Sequence, residues 1–544
     1  MEKFILGASI GNCVHVAGVM HFLQLAEQEG YRTEFMGPAV SIDSLFRKIE
    51  ELHPSIIGIG YRLTPENVIP LLDEVTKRRE ELDYCPDWVF GGTKPVADIA
   101  QKYGYFSFVS DGYDDINDSL RYLRGGYTGE DNESAYPKTL VERIQMSYPY
   151  PILRHHFGRP TMEETLEGIG KIAEAKLLDV VSIGPDQNAQ QFLFHPERMK
   201  EDYSGAGGVP LRSKEDFVSL KKAAERGNYP LLRCYSGTED VFSYAKLLVD
   251  TIQNAWTAIP LCWYNELDGR GSRKLEVSIE EAQRLIKWHA EQNIPVEINE
   301  PHHWGLRDAH DVIPVVMAYI SAYNAKKLGV KHYIAQYMFN NPNGLSFSMD
   351  FAKVLAMIEM VESLEDENFH TYRETRAGLA LLNADENVAK GQLAASTFMQ
   401  MMVKPHIIHV VGYCEADHAA TAKEVIESCR IVKGVIRHAL NDTLSLAEEP
   451  QIKKRKEELL KEARVLIEFI CKEYSESDDP LADPKVLSDC VKKGYIDAVH
   501  IKKNEEYRGT LQTKIVDGKC LAYDKISNKV LSESERLENL KFRK

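Results

Sequence analysis

Along residues 1–125 the spacing of hydrophobic positions switches repeatedly between two periods. Compact apolar runs (FILGASI, TEFMGP, IIGIGYRL, WVFGGTK, FSFVSDG) alternate with stretches of helical spacing (VMHFLQLAEQEG, SIDSLFRKIEELH, ENVIPLLDEVTKRREEL, VADIAQKYG). Short apolar runs bounded by turn residues read as buried strands, and apolar residues three and four apart read as amphipathic helices. Regular alternation of the two predicts a doubly wound parallel sheet. The stretch 126–150 is polar, rich in Gly, Tyr and Pro, and reads as a linker. From 151 the rhythm resumes on a larger scale. Strands are expected at 151–157, 179–185, 230–236, 258–264, 295–301, 332–339, 369–376 and 405–414, with amphipathic stretches such as 280–292 and 312–328 between them. Eight strand–helix units within 151–440 have the size and rhythm of a (β/α)8 TIM barrel. Residues 441–544 begin with a charged helix expected to pack by one face, and the turn signals VDGKC and ISNKV predict a terminal β-hairpin.

Composition narrows the class. No run of about 18 apolar residues occurs, so no membrane span is expected. The opening MEKFILGASIG reads as a first strand rather than a signal peptide, which predicts a cytoplasmic protein. Nine cysteines without CxxC spacing argue against a disulfide framework, a zinc ribbon and a radical-type iron–sulfur site. A net charge of −16 argues against nucleic acid as a partner.

Ligands in open parallel sheets bind outside the carboxyl ends of the strands. The loop after the first strand carries Cys13, His15 and Gly18, and Gly91-Gly92 ends a later strand. A loop histidine can offer a neutral imidazole to a metal, and paired glycines let a ligand approach the backbone. Each signal alone is also what an ordinary strand-to-helix turn shows. In the larger region the expected strand ends carry His155, His156, Asp186, Gln187, Tyr235, Tyr264, Glu266, Asn299, Glu300, Gln336, Asn340, Arg373, Arg376, Tyr413 and Glu415, which together predict a polar pocket.

The first set resembles the cobalamin-binding domain of B12-dependent mutases and methionine synthase, with its D-x-H-x-x-G, S-x-L and G-G motifs. His15 and Gly18 match the histidine and glycine of the first motif, and Gly91-Gly92 match the third. Cys13 stands in place of the aspartate, and Tyr61-Arg62-Leu63 in place of S-x-L. The resemblance implies a flavodoxin-like (Rossmann-type) domain in which His15 is the lower axial ligand of cobalt. Cys13, Gly18, Tyr61, Leu63, Gly91 and Gly92 would line the pocket for the nucleotide tail. A carboxylate partner makes a ligating histidine more basic, so Cys13 is expected to weaken or retune ligation. Tyr61 is expected to crowd the tail pocket.

The segment IPVEINEPHHWGLRDAHDVIPVVMAYISAYNAKKLGVKHY, with Ser236-Gly237-Thr238, is similar to the catalytic subunit of glutamate mutase (methylaspartate mutase). That implies an adenosylcobalamin-dependent isomerase acting by radical rearrangement, with the cobalamin domain fused ahead of the barrel. The family grips its dicarboxylate with three arginines. Arg159 matches the first, while Gln190 and Tyr235 replace the others, which points away from glutamate as substrate. Gly412 replaces the family's lysine at the adenosyl ribose, and Glu415 approximates its acid. Expected catalytic groups are Tyr264, Glu266 and Tyr235, and expected substrate contacts are Arg159, Asp186, Gln187, Gln190, Asn299 and Arg373. Expected partners are cobalamin and a small-molecule substrate, in a homodimer. Corrinoid-dependent methyl transfer ranks lower, because the usual helical cap before the first strand is missing. A non-catalytic cobalamin sensor is the third reading, and no specific lysine points to pyridoxal phosphate.

Overall fold

The computed structural model describes residues 3–112, 116–127, 133–235, 237–441, 446–501, 506–507 and 510–542. It divides into two compact units, Met1–Ala135 and Tyr136–Lys544. The first contains strands β1 (Phe4–Ser9), β2 (Arg32–Phe35), β3 (Ile56–Tyr61), β4 (Asp87–Gly92) and β5 (Phe106–Ser110). All are parallel, in the order 2-1-3-4-5, with helices between successive strands. The helix Ile42–Leu52 shows how sequence sets these elements. Ser41 accepts the Ser44 N–H at its start, and Ile42, Leu45, Phe46 and Ile49 form one buried stripe. Its end is marked by His53 in the left-handed conformation.

The helix Ala17–Gln28 lies unusually close to the sheet because glycines face it. A Cβ at Gly60 would stand 2.5 Å from Val19 Cγ2, and one at Gly7 2.7 Å from Leu23 Cδ1. On β3 the alternation is strict: Ile57, Ile59 and Tyr61 pack into the core on the opposite face, while Gly58 and Gly60 face the helix.

The second unit contains β6 (Ile152–Phe157), β7 (Val180–Ile183), β8 (Leu231–Cys234), β9 (Thr257–Ala258), β10 (Val296–Glu297), β11 (His332–Phe339), β12 (His370–Ala377) and β13 (Ile407–His409). These eight parallel strands form a nearly closed barrel in the order 8-7-6-13-12-11-10-9. The seam between β8 and β9 is joined by the Ala255 N–H to Leu232 O (2.9 Å) and by Asn254 Oδ1, which accepts the Cys234 N–H (2.9 Å). β9 and β10 are shorter than the sequence predicts, for local reasons. Pro260 has no N–H to give a ladder, and the Leu261 and Cys262 N–H groups go to Glu300 Oε1 instead (2.5 and 2.7 Å). Pro301 opens the helix Glu300–Gly305 directly after β10.

The stretch read as a linker supplies the helix Leu140–Ser147, whose Leu140 and Ile144 join Ile152, Val180, Leu231 and Trp256 in one core cluster. The helix Pro450–Glu473 buries Leu459, Leu460, Ala463, Leu466 and Ile470 on one face. The terminal hairpin is a three-stranded antiparallel sheet, because the ISNKV segment adds a third strand to the pair Thr513–Val516 and Lys519–Asp524. Asp517-Gly518 turn the pair with positive φ at both residues, as a two-residue hairpin loop requires. Among the described residues no helix is long and apolar enough to cross a membrane.

Candidate functional site

Each unit holds a cleft at the carboxyl ends of its strands. In the first unit the cleft has a volume of about 530 Å³. Its floor is Gly58, Gly60, Gly91 and Gly92, its walls include Val19, Phe22 and Phe108, and His15 stands at its edge. A Cβ at Gly91 or Gly18 would meet nothing within 4 Å. β1 and β3 are the neighbours at which the strand order reverses, the usual ligand position in such sheets. His15 is exposed. Its backbone carbonyl accepts a hydrogen bond from Ser9 Oγ (3.3 Å), which ties the loop to β1. Nδ1 faces Cys13 Sγ at 3.8 Å, and no described residue bonds Nε2.

The barrel interior is layered, as inward side chains of a barrel must be. The deepest layer is apolar: Ile152, Val180, Leu231, Ile334 and Ile407, with Trp256. Two residues further along, the same strands turn Arg154, Ser182, Arg233, Gln336 and His409 inward, joined by Glu297 and Glu374. The next layer holds His156, Tyr235, Asn299, Met338 and Arg376 beneath a cavity of about 380 Å³. Hydrogen bonds link these groups around the barrel. Arg233 donates to Glu297 (2.9 Å), and Gln336 Nε2 donates to Glu297 and Glu374 (3.0 and 3.3 Å). Arg154 pairs with Glu374 (2.5 Å) and meets His156 Nε2 (3.0 Å), which also bonds the Tyr235 hydroxyl (2.8 Å).

The charges in this ring do not cancel. Arg154 is matched by Glu374 and Arg233 by Glu297, but Arg376 has no ion pair among the described residues. Its Nε is buried without a hydrogen bond, as are Nε and one terminal nitrogen of Arg233. Burial, with Arg154 beside it, holds His156 well below the usual histidine range. Burial likewise depresses His302, His303 and His409, so all four imidazoles are neutral. Glu374 is pushed up by burial and pulled back by Arg154. The cavity therefore carries a surplus positive charge and unpaired donors, an arrangement suited to a small anion.

The structure sorts the expected residues. Tyr235, Tyr264 and Asn299 line the barrel cavity, and burial pushes Tyr264 up to about 12. Glu266 does not; its carboxylate is spent on the Leu275 N–H (3.1 Å), the Tyr507 hydroxyl (3.0 Å) and Lys274 (3.0 Å). Arg159 donates to Ala419 O (2.8 Å) on the loop after β13. Asp186 is buried against Arg212 and caps the helix Gln187–Phe192, where Gln187 is exposed. Gln190 bonds Pro185 O (2.8 Å). Arg373 points outward from β12 to Glu362 (2.5 Å), since inward positions on that strand are 374 and 376. Glu415 accepts the Gly412 N–H (2.7 Å) and meets His155 Nε2 (3.1 Å). In the first unit His15, Gly18, Tyr61, Gly91 and Gly92 line the cleft, while Leu63 packs against the core. Tyr61 does not crowd it: its ring is fully buried on the far face, and Gly60 takes the cleft-facing position. Ser236 lies outside the described residues. Arg154, Arg233, Glu297 and Glu374 were missed by attention to strand ends. For Arg154 and Arg233 the signal is a charged residue directly after an apolar run that opens the strand, as in PILRHHF and PLLRCYS; Glu374, within FHTYRETR, carries none.

No family profile and no curated protein matches the chain. Solved structures that match include the cobalamin-dependent S-adenosylmethionine radical enzyme OxsB, at 10% identity and TM-score 0.19, over 80% of this chain and 56% of that one. Another is a glycoside hydrolase of the GH138 class targeting pectin rhamnogalacturonan II, at 9% identity and TM-score 0.31, over 91% and 57%. NtrX from Brucella abortus matches at 13% identity and TM-score 0.18, over 80% and 100%. The chain spans little more than half the length of the first two. At these TM-scores the likeness is too slight to transfer a fold or an activity.

Proposed function

We propose that the chain is a cobalamin-dependent enzyme of the mutase type, acting on a small carboxylate held differently from glutamate in glutamate mutase. The observation that carries this reading is the glycine-floored cleft with His15 at its edge. The strand order 2-1-3-4-5 is that of flavodoxin-like domains, and the cleft lies at their ligand position. The residues fit the group. The open space above Gly91 and the apolar walls suit a flat heteroaromatic tail, and Nε2 of His15 is left to meet a metal while Nδ1 faces Cys13. A thiol at 3.8 Å orients the ring less firmly than a carboxylate.

When bound, adenosylcobalamin supplies radical hydrogen abstraction. The protein's own tasks follow from the barrel ring. Arg376 and the unpaired nitrogens of Arg233 anchor the substrate carboxylate. Tyr235 holds its hydroxyl proton against neutral His156 and can exchange it with a substrate oxygen. Asn299 Oδ1, buried and unbonded, accepts a substrate N–H or O–H. Tyr264, under Arg270 and against His303, helps exclude water from the cavity.

Absorption titration of the purified protein with hydroxocobalamin and adenosylcobalamin tests the assignment. Tight binding is expected, and in protein carrying ¹⁵N-histidine the paramagnetic Co(II) form shows ¹⁵N splitting that disappears in His15→Ala. Absence of binding, or splitting unchanged in that variant, refutes it.

A further inference from the structure

We propose that Cys414, His418 and Glu424 form a binding site for a divalent transition metal of the zinc class, outside both clefts. One donor atom from each lies within 4.8 Å of the others. Cys414 and His418 occupy the loop after β13 and Glu424 the first turn of the helix that follows, at the end of the barrel where such folds carry their chemistry.

The local geometry aims each donor. The Cys414 carbonyl accepts the N–H of both Asp417 and His418 (2.9 Å each), a turn that folds the imidazole back over the buried thiol. Thr421 precedes the helix Ala422–Asn441, and its N–H and hydroxyl hold Glu424 Oε2 (2.8 and 2.9 Å). That leaves Oε1 to face His418 Nε2 at 2.8 Å. A second, independent feature is the outer carboxylate. Asp417 Oδ2 meets His418 Nδ1 at 2.8 Å, so each ring nitrogen faces a carboxylate; a metal at Nε2 would displace that nitrogen's proton, while Asp417 keeps the Nδ1–H. Carboxylate–histidine–metal relays have this form, and they make the imidazole a better ligand.

Sulfur, imidazole and carboxylate together suit zinc, or Co²⁺ in its place, rather than calcium or magnesium. Three protein ligands leave a fourth tetrahedral position for water, and half-exposed His418 keeps that side open to solvent. Binding expels the thiol proton and the His418 Nε2 proton to solvent, since the thiolate and the bare imidazole nitrogen are the ligands. The metal would fasten the loop that carries Cys414 and His418 to the start of the helix Ala422–Asn441, and Glu415 of the same loop meets His155 of β6.

Corrinoid-free protein titrated with CoCl₂ tests the site. One equivalent is expected to give a near-ultraviolet thiolate-to-cobalt charge-transfer band and intense four-coordinate visible bands, both removed by one equivalent of zinc. Cys414→Ser should abolish the charge-transfer band, and exposed His418→Ala the four-coordinate spectrum. Asp417→Asn should weaken zinc affinity about 10- to 100-fold. His15→Ala should change none of these. A wild-type protein without the charge-transfer band, or a band that persists in both Cys414→Ser and His418→Ala, overturns the assignment.

Discussion

The two clefts are made by opposite means. That of the N-terminal unit rests on missing side chains: the space above Gly91 is open, Gly60 lets the helix Ala17–Gln28 pack close, and His15 is exposed at the cleft's edge. The barrel cavity exists because side chains crowd inward, and in its buried polar ring two arginines are paired from within while Arg376 is not. A glycine site stores little electrostatic tension, so its occupancy should be separable from folding. A ring of buried arginines, glutamates and neutral histidines makes the site and the stability of the barrel the same quantity.

The strongest contrast should appear in acid. His156, His302, His303 and His409 are depressed from 6.5, so their contribution to stability is full above that value and is lost as pH falls below it. Each can cost up to about 1.4 kcal/mol per pH unit. Glu300, pushed up to about 7 from 4.5, works in the opposite direction over that interval, as do Glu374, Asp350 and Asp497, also raised by burial, while His289, pushed down to about 4, adds to the loss. Urea unfolding from pH 7 to 5 should therefore show the barrel weakening steeply and the N-terminal unit little. Next in size is Arg154→Met. It strands Glu374 and should cost about 3–5 kcal/mol in the same assay. Gly91→Leu probes the other kind of site. Its Cβ meets open space, so melting should stay within about 0.5 kcal/mol of wild type while corrinoid binding is lost. Smallest is Arg159→Ala. The guanidinium serves a loop carbonyl, so carboxylate binding by isothermal titration should not change, whereas Arg376→Ala should weaken it.

Strands and helices were readable wherever periodicity was unopposed; β11 runs over His332–Phe339, as the apolar pattern predicts. Boundaries failed where one residue redirected the backbone, as Pro260 and Pro301 do. Within the sites, His15 and the glycines stood out because loop chemistry is local. The barrel ring did not, because Arg154 and Glu374 are 220 residues apart and meet only once the sheet has curled. Arg373 and Arg376 look alike in the sequence. Only strand parity sends one to Glu362 and the other into the cavity. Tyr61 and Gly60 differ for the same reason, one register step deciding which is a wall of the core and which a floor of the cleft.

The seam between β8 and β9 gives the barrel a preferred direction of yielding. Elsewhere neighbouring strands share continuous ladders, but there the join rests on Ala255 and the amide of Asn254. Hydrogen exchange should enter by that line, with the amides of Cys234 and Ala255 surrendering their protons before those of β11 and β12. Arg233 and Glu297 face one another across the same line, so a breath of the seam would loosen the grip proposed for the substrate without dismantling the rest of the ring.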